Sequence, residues 1–530
     1  MVLGRVLVIA GSDCSGGAGL EADQKVIAAH GCYAMTATTA LTAQNTTGVF
    51  DIHHVPADFL RKQIDACIED IGVDVVKTGM LASAGTVDAV AAALEAHKVK
   101  TLVVDPVMVS TSGSQLLPSA ALDALRSRLL PMATILTPNL PEARLLLADS
   151  GHGFVPVEKI SDLEYIAQLV RNTGPKWVLI KGGHCPFRKD GTVAKSPAEK
   201  EIVVDVLYGG GDELFRIETP YHESRNTHGT GCSLASAIAS NLATGMDVVP
   251  AVKAACRYVE AGIKTAPGLG SGSGPLNHFH SVSRLPFSPG HFVDYVLEHP
   301  DVAPVWHRFV NHPFVLAMGN GTLPLESFKG YLVQDYLYLI QFARANALAS
   351  YKARSMHDIV ASAEIVSHIF REMQLHVGYC EGFGISKEEM EQTEEKEGRL
   401  TSCTAYTRYV LDVGQSEDLI GLHIALAPCL LGYGVLAEQL HKDPNSNRES
   451  NPYWDWIENY VADDYVTAVK TGRGKSRSAK GERTGADDEL AELLERHAML
   501  QGPSRIEELV KIFIHATKME VAFWEMYSSE

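Results

Sequence analysis

The chain has 530 residues, 46% hydrophobic and 21% charged, with a net charge of −18 at pH 7. That length exceeds a single hydrophobic core and points to two large domains of a soluble globular protein rather than a disordered one. The acidic balance argues against a nucleic-acid partner, because phosphate backbones are bound by clustered Lys and Arg.

The first ten residues are apolar with an early Arg5, but the run breaks into Gly11-Ser12-Asp13 without a signal-peptidase-like site and reads as a buried strand. No apolar run reaches the roughly 18 residues that a membrane span needs. The 9 cysteines are an odd number without a C-x-x-C pair, which fits reduced thiols and a cytoplasmic location.

Up to about residue 265 one pattern repeats: a short apolar run ends in Gly, Asp, Asn or Lys, and a helix-like segment follows. Val6 to Gly11, Leu102 to Pro106, Thr134 to Asn139 and Trp177 to Gly183 are examples. Such alternation predicts an α/β domain with a mostly parallel sheet covered on both faces. Its ligands are expected at the carboxyl ends of the strands.

Gly268 to Pro289 has the composition of a linker. From about residue 291 helical periods take over, and Phe328 to Arg354 and Leu419 to His441 are apolar around most of their circumference, as in helices buried in a bundle. A second polar stretch, Thr471 to Asp487, reads as a loop between helical segments.

Two glycine-rich stretches stand out, Gly11 to Gly19 and Asn226 to Cys232. Neither is a Walker A loop or a dinucleotide fingerprint. The second runs into a good helix, whose first N–H groups make an anion site able to hold charge on a transferred phosphoryl group.

The motifs G-S-D-x-S-G-G-A-G, T-A-x-x-A-Q-N-T, K-x-G-M-L, V-D-P-V-M, T-P-N-x-x-E, K-G-G-H and N-T-H-G-T-G-C start in this order at Gly11, Thr39, Lys77, Val104, Thr137, Lys181 and Asn226. Together they resemble the hydroxymethylpyrimidine and phosphomethylpyrimidine kinases of the ribokinase superfamily over roughly residues 4 to 285. Gly270 to His280 looks like that family's C-terminal end, which moves the expected boundary to residues 1–287 and 288–530.

The resemblance implies that Gln44 reads the aminopyrimidine, with Met80 and the backbone of Gly11 and Ala18 lining the same pocket. A carboxamide suits that role, having one accepting and one donating end. Asp105 and Glu142 look like the organisers of Mg²⁺ and phosphate, since Mg²⁺ takes one or two carboxylates plus phosphate oxygens. Asn139, Lys181, Gly229, Thr230 and Gly231 would contact ATP.

Cys232 stands where most superfamily members place an aspartate base, and a thiol near a helix N-terminus can have a lowered pKa. Pyridoxal kinases of the superfamily commonly carry Asp there, so Cys232 favours the pyrimidine.

In the second half, Tyr331, Asp335, Tyr338 and Phe342 share one helix face, as do Cys429 and Tyr433, and Glu520, Phe523, Trp524 and Tyr527. Taken singly such faces are core. If they meet in one bundle, they could instead form an aromatic cavity with one thiol and two carboxylates.

These segments resemble the TenA-type thiaminase II family over roughly residues 300 to 530, through H-P-F at His312, Q-D-x-x-Y-L at Gln334, T-A-Y at Thr404, P-C-x-x-x-Y at Pro428 and E-x-x-F-W at Glu520. By that resemblance Cys429 is the nucleophile, Glu520 the proton shuttle, Asp335 the partner of the aminopyrimidine, and Tyr338, Tyr406, Tyr433 and Tyr460 the ring-lining residues. An all-α TenA/haem-oxygenase-like domain is implied.

The row Glu364, His368, Glu372 and His376 at i+4 spacing is a metal candidate, although a solvated face is the expectation. Expected ligands are therefore small pyrimidines, ATP and Mg²⁺, in a homo-oligomer without nucleic acid or membrane. The competing readings are a kinase carrying a silent helical assembly module, and a pyridoxal kinase fused to a haem-oxygenase-like domain.

Overall fold

The computed structural model of the protein describes residues 2–108, 119–396, 400–461 and 486–527, apart from some side chains within them. They divide into two compact units, Met1–Val282 and Ser283–Glu530.

In the first unit the β-branched runs become strands of one eight-stranded sheet. They are β1 (Arg5–Ala10), β2 (Tyr33–Thr38), β5 (Val75–Thr78), β6 (Leu102–Val104), β7 (Ile135–Leu136), β8 (Trp177–Ile180), β9 (Ile202–Gly209) and β10 (Glu213–Pro220), with β3 (Ala40–Asn45) and β4 (Gly48–His54) forming a separate antiparallel hairpin. The spatial order is β10-β9-β8-β7-β6-β5-β1-β2, parallel from β2 to β8 and antiparallel through β9 and β10. The central strands read as unbroken apolar runs because both faces are covered: Val6, Leu7, Val8 and Ile9 are all fully buried. One core holds Leu7 and Ile9 and the other Val6 and Val8, as alternation along a strand requires.

The supposed linker belongs to this unit as far as Val282. Ser273 N–H donates to Thr46 O, and His228 N–H donates to Gly274 O. A Cβ on Gly272 would lie 2.1 Å from Thr46 O, so the glycines serve close approach to the hairpin and not flexibility. The division at Val282 lies a few residues before the expected residue 287, because Leu285 and Phe287 pack against the helical core around Phe292.

In the second unit Leu325–Lys352 and Leu419–Lys442 are the expected buried helices. By length and composition Leu419–Lys442 could cross a membrane, contrary to the expectation from run length, but most of its apolar window is buried inside the bundle. The polar stretch Thr471 to Asp487 lies outside the described residues except for its end, where helix Ala486–Ala498 begins. Of the candidate metal row, Glu364 is exposed while His376 Nδ1 lies 3.9 Å from Asp335; the side chains of His368 and Glu372 are outside the described set. No group of three or more potential ligands forms among the described residues.

Candidate active sites

In the first unit the strand ends converge as expected. Asn139 caps helix Leu140–Asp149: its Oδ1 accepts the Glu142 N–H at 2.9 Å, and Glu142 Oε2 accepts the Asn139 N–H at 2.8 Å. This reciprocal pairing fixes Glu142 beside β7. Lys181, just past β8, donates to Asp105 Oδ1 at 2.9 Å and lies 3.9 Å from Glu142 Oε2. Burial, with Asp105 adding to the rise, pushes Glu142 up to about 7 against the pull of Lys181. Two adjacent carboxylates holding hard oxygen donors, one of them short of positive charge, fit a Mg²⁺ ion and phosphate oxygens.

Helix Thr230–Ala243 starts at Gly229, whose φ of +77° and would-be Cβ, 1.9 Å from Gly17 O, admit only glycine. Its first turn places Thr230, Gly231 and Cys232 together, and a Cβ on Gly231 would lie 3.1 Å from Lys181 Nζ. The lowered pKa expected for Cys232 is not found: burial pushes the thiol up to about 12, with Lys77 pulling the other way. Desolvation outweighs the helix N-terminus.

The other pocket residues are also close. A Cβ on Gly11 would strike Met80 Cε at 2.3 Å, and Gln44 on β3 lies 3.3 Å from both Thr42 Oγ1 and His228 Nε2. Ala18 precedes helix Gly19–Ala29 and donates its N–H to Asp13 Oδ2 at 2.8 Å.

Sequence reasoning missed two features. His228 Nε2 lies 2.8 Å from Asp13 Oδ2, an interaction spanning 215 residues of sequence. Beneath the site, Lys77 Nζ donates to Asp23 Oδ2 at 2.8 Å with both side chains fully buried. The motifs G-S-D and K-x-G-M-L contained these charges without naming their partners.

The second unit brings together the three helix faces. The Tyr406 hydroxyl donates to Glu520 Oε1 at 2.7 Å, and the Cys429 thiol is also hydrogen-bonded to Glu520. Tyr338 stacks on Tyr406 with centroids 4.9 Å apart, and Tyr433 lies 5.4 Å from Tyr460 and 5.5 Å from Trp524. Asp335 is buried and close enough for its charge to act on Glu520.

Burial pushes Glu520 up to about 8, against the Tyr406 and Cys429 hydrogen bonds, so the carboxyl is protonated at neutral pH. Pro428 has no N–H to give the Ile424 carbonyl, which loosens the helix at the turn that presents Cys429. A thiol, a protonated acid and stacked aromatic walls suit addition to a flat, electron-poor ring.

A family model described as phosphomethylpyrimidine kinase matches residues 13–277, and one for the TENA/THI-4/PQQC family matches residues 299–495. The hydroxymethylpyrimidine/phosphomethylpyrimidine kinase THI20 of Saccharomyces cerevisiae is 33% identical, with 98% of this chain and 95% of that protein covered. A Schizosaccharomyces pombe relative named for the same kinase activity is 41% identical, covering 98% of this chain and 90% of its own. Among solved structures, a phosphomethylpyrimidine kinase from Clostridium difficile is 38% identical and covers 48% of this chain and 97% of its own, with a TM-score of 0.39.

Proposed function

Because the chain belongs to the family of hydroxymethylpyrimidine/phosphomethylpyrimidine kinases fused to a TENA/THI-4/PQQC unit, we propose a division of labour in which each half runs its own chemistry on the thiamine pyrimidine. The chain is a bifunctional enzyme of thiamine biosynthesis, a kinase and a hydrolase in one polypeptide. The kinase is assigned to residues 1–287 and the hydrolase to residues 288–530, a division that the two compact units Met1–Val282 and Ser283–Glu530 support to within a few residues.

In the kinase, Gln44 pairs with the aminopyrimidine, beside Met80, Gly11 and Ala18. Lys181, Asn139 and the N–H groups of Gly229, Thr230 and Gly231 hold the ATP phosphates and the charge that develops on the transferred group. Mg²⁺, held by Asp105 and Glu142, would neutralise phosphate charge. Cys232 is the candidate acceptor for the proton of the attacking hydroxyl; burial favours its thiol form, so it would act as the thiolate, the form that Lys77 beside it favours. The observation that supports this reading best is the convergence of Asp105, Glu142, Lys181 and the first turn of helix Thr230–Ala243 at the sheet's carboxyl edge.

Gln44→Ala is expected to weaken hydroxymethylpyrimidine binding by about 1–3 kcal/mol, the penalty for leaving polar ring atoms unpaired. Steady-state kinetics check it, and an unchanged KM for the pyrimidine would place Gln44 outside the site.

In the hydrolase, the Cys429 thiolate adds to the pyrimidine ring while Glu520 protonates a ring nitrogen. The electron-rich adduct expels the leaving group from the exocyclic methylene, the proton given up by the Cys429 thiol passing to it when it is an amine and to solvent when it is a neutral thiazole; water adds to the methylene, the ring proton returns to Glu520, and the departing thiolate takes the proton that water releases. Asp335 holds the amino group, and Tyr338, Tyr406, Tyr433 and Tyr460 enclose the ring. Hydroxymethylpyrimidine, the product, is the kinase substrate.

The acid form of Glu520 exists below its pKa of about 8. Hydrolysis is therefore expected to fall by about tenfold per pH unit above that value. A rate that stays level up to about pH 10 would remove Glu520 from the proton-donating role.

A further inference from the structure

We propose that Asp13, His228 and Thr42 fix which way round the Gln44 carboxamide stands, and thereby make the kinase pocket selective for a ring bearing an exocyclic amine next to an unprotonated ring nitrogen. The proposal rests on the reading of Gln44 as the pyrimidine-binding residue and adds what orients it.

The nitrogen and oxygen of a carboxamide are told apart by the hydrogens around them. The structure places Gln44 Oε1 3.3 Å from Thr42 Oγ1 and Gln44 Nε2 3.3 Å from His228 Nε2. Thr42 has one hydroxyl hydrogen, and Ser12 O accepts it at 2.8 Å. To Gln44, then, Thr42 can only be an acceptor, and its proper neighbour is the amide nitrogen.

At the other end, Asp13 accepts from Ser15 N at 2.9 Å, Ser15 Oγ at 2.7 Å and Ala18 N at 2.8 Å, and lies 2.8 Å from His228 Nε2. Four such neighbours are satisfied together by an ionised carboxylate, which accepts only. His228 Nε2 therefore carries the hydrogen and gives it chiefly to Asp13; with no lone pair left to accept an N–H, its proper neighbour on Gln44 is the amide oxygen, which shares that hydrogen at the longer 3.3 Å. Both ends require the same half-turn of the amide, with Oε1 towards His228 and Nε2 towards Thr42.

Asp13, His228 and Thr42 are each at most 8% exposed, so water cannot readily replace these partners. A Cβ on Gly17 would lie 2.6 Å from His228 Cδ2, so the glycine loop is shaped to seat this ring.

The order of donors is then set. The second lone pair of Oε1 accepts from a substrate amine on the His228 side, and the second N–H of Nε2 donates to a ring nitrogen on the Thr42 side. A ring with a carbonyl in place of the amine, and a hydrogen on the adjacent nitrogen, needs the reverse order. Turning the amide to meet it would set two donors face to face at His228.

The test compares kcat/KM for 4-amino-5-hydroxymethyl-2-methylpyrimidine and its 4-oxo analogue in the full-length protein. Preference for the amine is expected to fall at least about tenfold in Thr42→Val and in His228→Phe, through the pyrimidine KM and not that of ATP. His228→Gln, which keeps an N–H for Asp13, should recover part of it. If Thr42→Val and His228→Phe keep the parent's ratio while Gln44→Ala loses it, the positioning role is wrong and the reading of Gln44 stands. If Gln44→Ala also keeps the ratio, that reading fails too. Should His228→Phe not fold, Thr42→Val, a near-isosteric loss of one hydroxyl, decides alone.

Discussion

Replacing Cys429 by serine is expected to lower pyrimidine release by on the order of 10³-fold or more, while ATP-dependent phosphorylation stays within a few-fold. The hydroxyl is far less nucleophilic than a thiolate, and the described aromatic cavity pairs Cys429 with Glu520. Serine keeps the size and the hydrogen bond, so stacking of Tyr338 on Tyr406 should survive and isolate the chemical loss. The kinase residues all precede Val282, in the other compact unit. Chromatographic assay of hydroxymethylpyrimidine release beside a phosphorylation assay decides the matter. Hydrolysis at the parent rate would mean that the nucleophile lies elsewhere.

The second large effect concerns Lys77. Lys77→Met is expected to cost the kinase unit about 3–5 kcal/mol, the usual loss when one partner of a buried ion pair is removed. Burial works to lower the Lys77 pKa, but Asp23, with help from Cys232 and Asp105, holds it above the ordinary lysine value. Asp23 is fixed from the other side by the Ser236 hydroxyl at 2.7 Å, so three elements meet at one fully buried carboxylate. Methionine fills the volume and leaves Asp23 without its countercharge. Because domain stabilities are about 5–15 kcal/mol, the kinase should lose activity at much lower urea, with the hydrolase midpoint unchanged. An unshifted kinase midpoint would show that the pair adds nothing to stability. The double variant Lys77→Met, Asp23→Leu should recover most of the loss.

Much of this architecture was legible in the chain because local signals and packing agree. The runs at Val6, Leu102, Thr134 and Trp177 are strands since their apolar residues face cores on both sides. Cys429, Glu520 and Asp335 stood out on helix faces, where a polar group among aromatics has to be paired, and their roles came from the resemblance to the thiaminase II family.

What escaped is non-local. Nothing near Asp13 names His228, and nothing near Lys77 names Asp23, since the pairs form only when the sheet brings distant segments together. Composition alone reads Gly268 to Pro289 as a linker, which the resemblance of Gly270 to His280 already corrects, because composition cannot separate glycines that confer freedom from glycines that admit Thr46. The helix N-terminus at Cys232 was visible in the sequence, but the burial that overrides it was not.

The central claim is that one polypeptide releases hydroxymethylpyrimidine at its helical site and phosphorylates it at the sheet's edge. The most direct measurement is product analysis after incubating the purified protein with 4-amino-5-aminomethyl-2-methylpyrimidine, ATP and Mg²⁺. The expected result is hydroxymethylpyrimidine followed by its phosphate esters, with the unphosphorylated alcohol accumulating when ATP is left out and nothing forming in Cys429→Ser. Hydroxymethylpyrimidine that is phosphorylated when supplied, but never released from the aminomethyl compound or from thiamine, would contradict the account and leave the helical unit without its proposed chemistry.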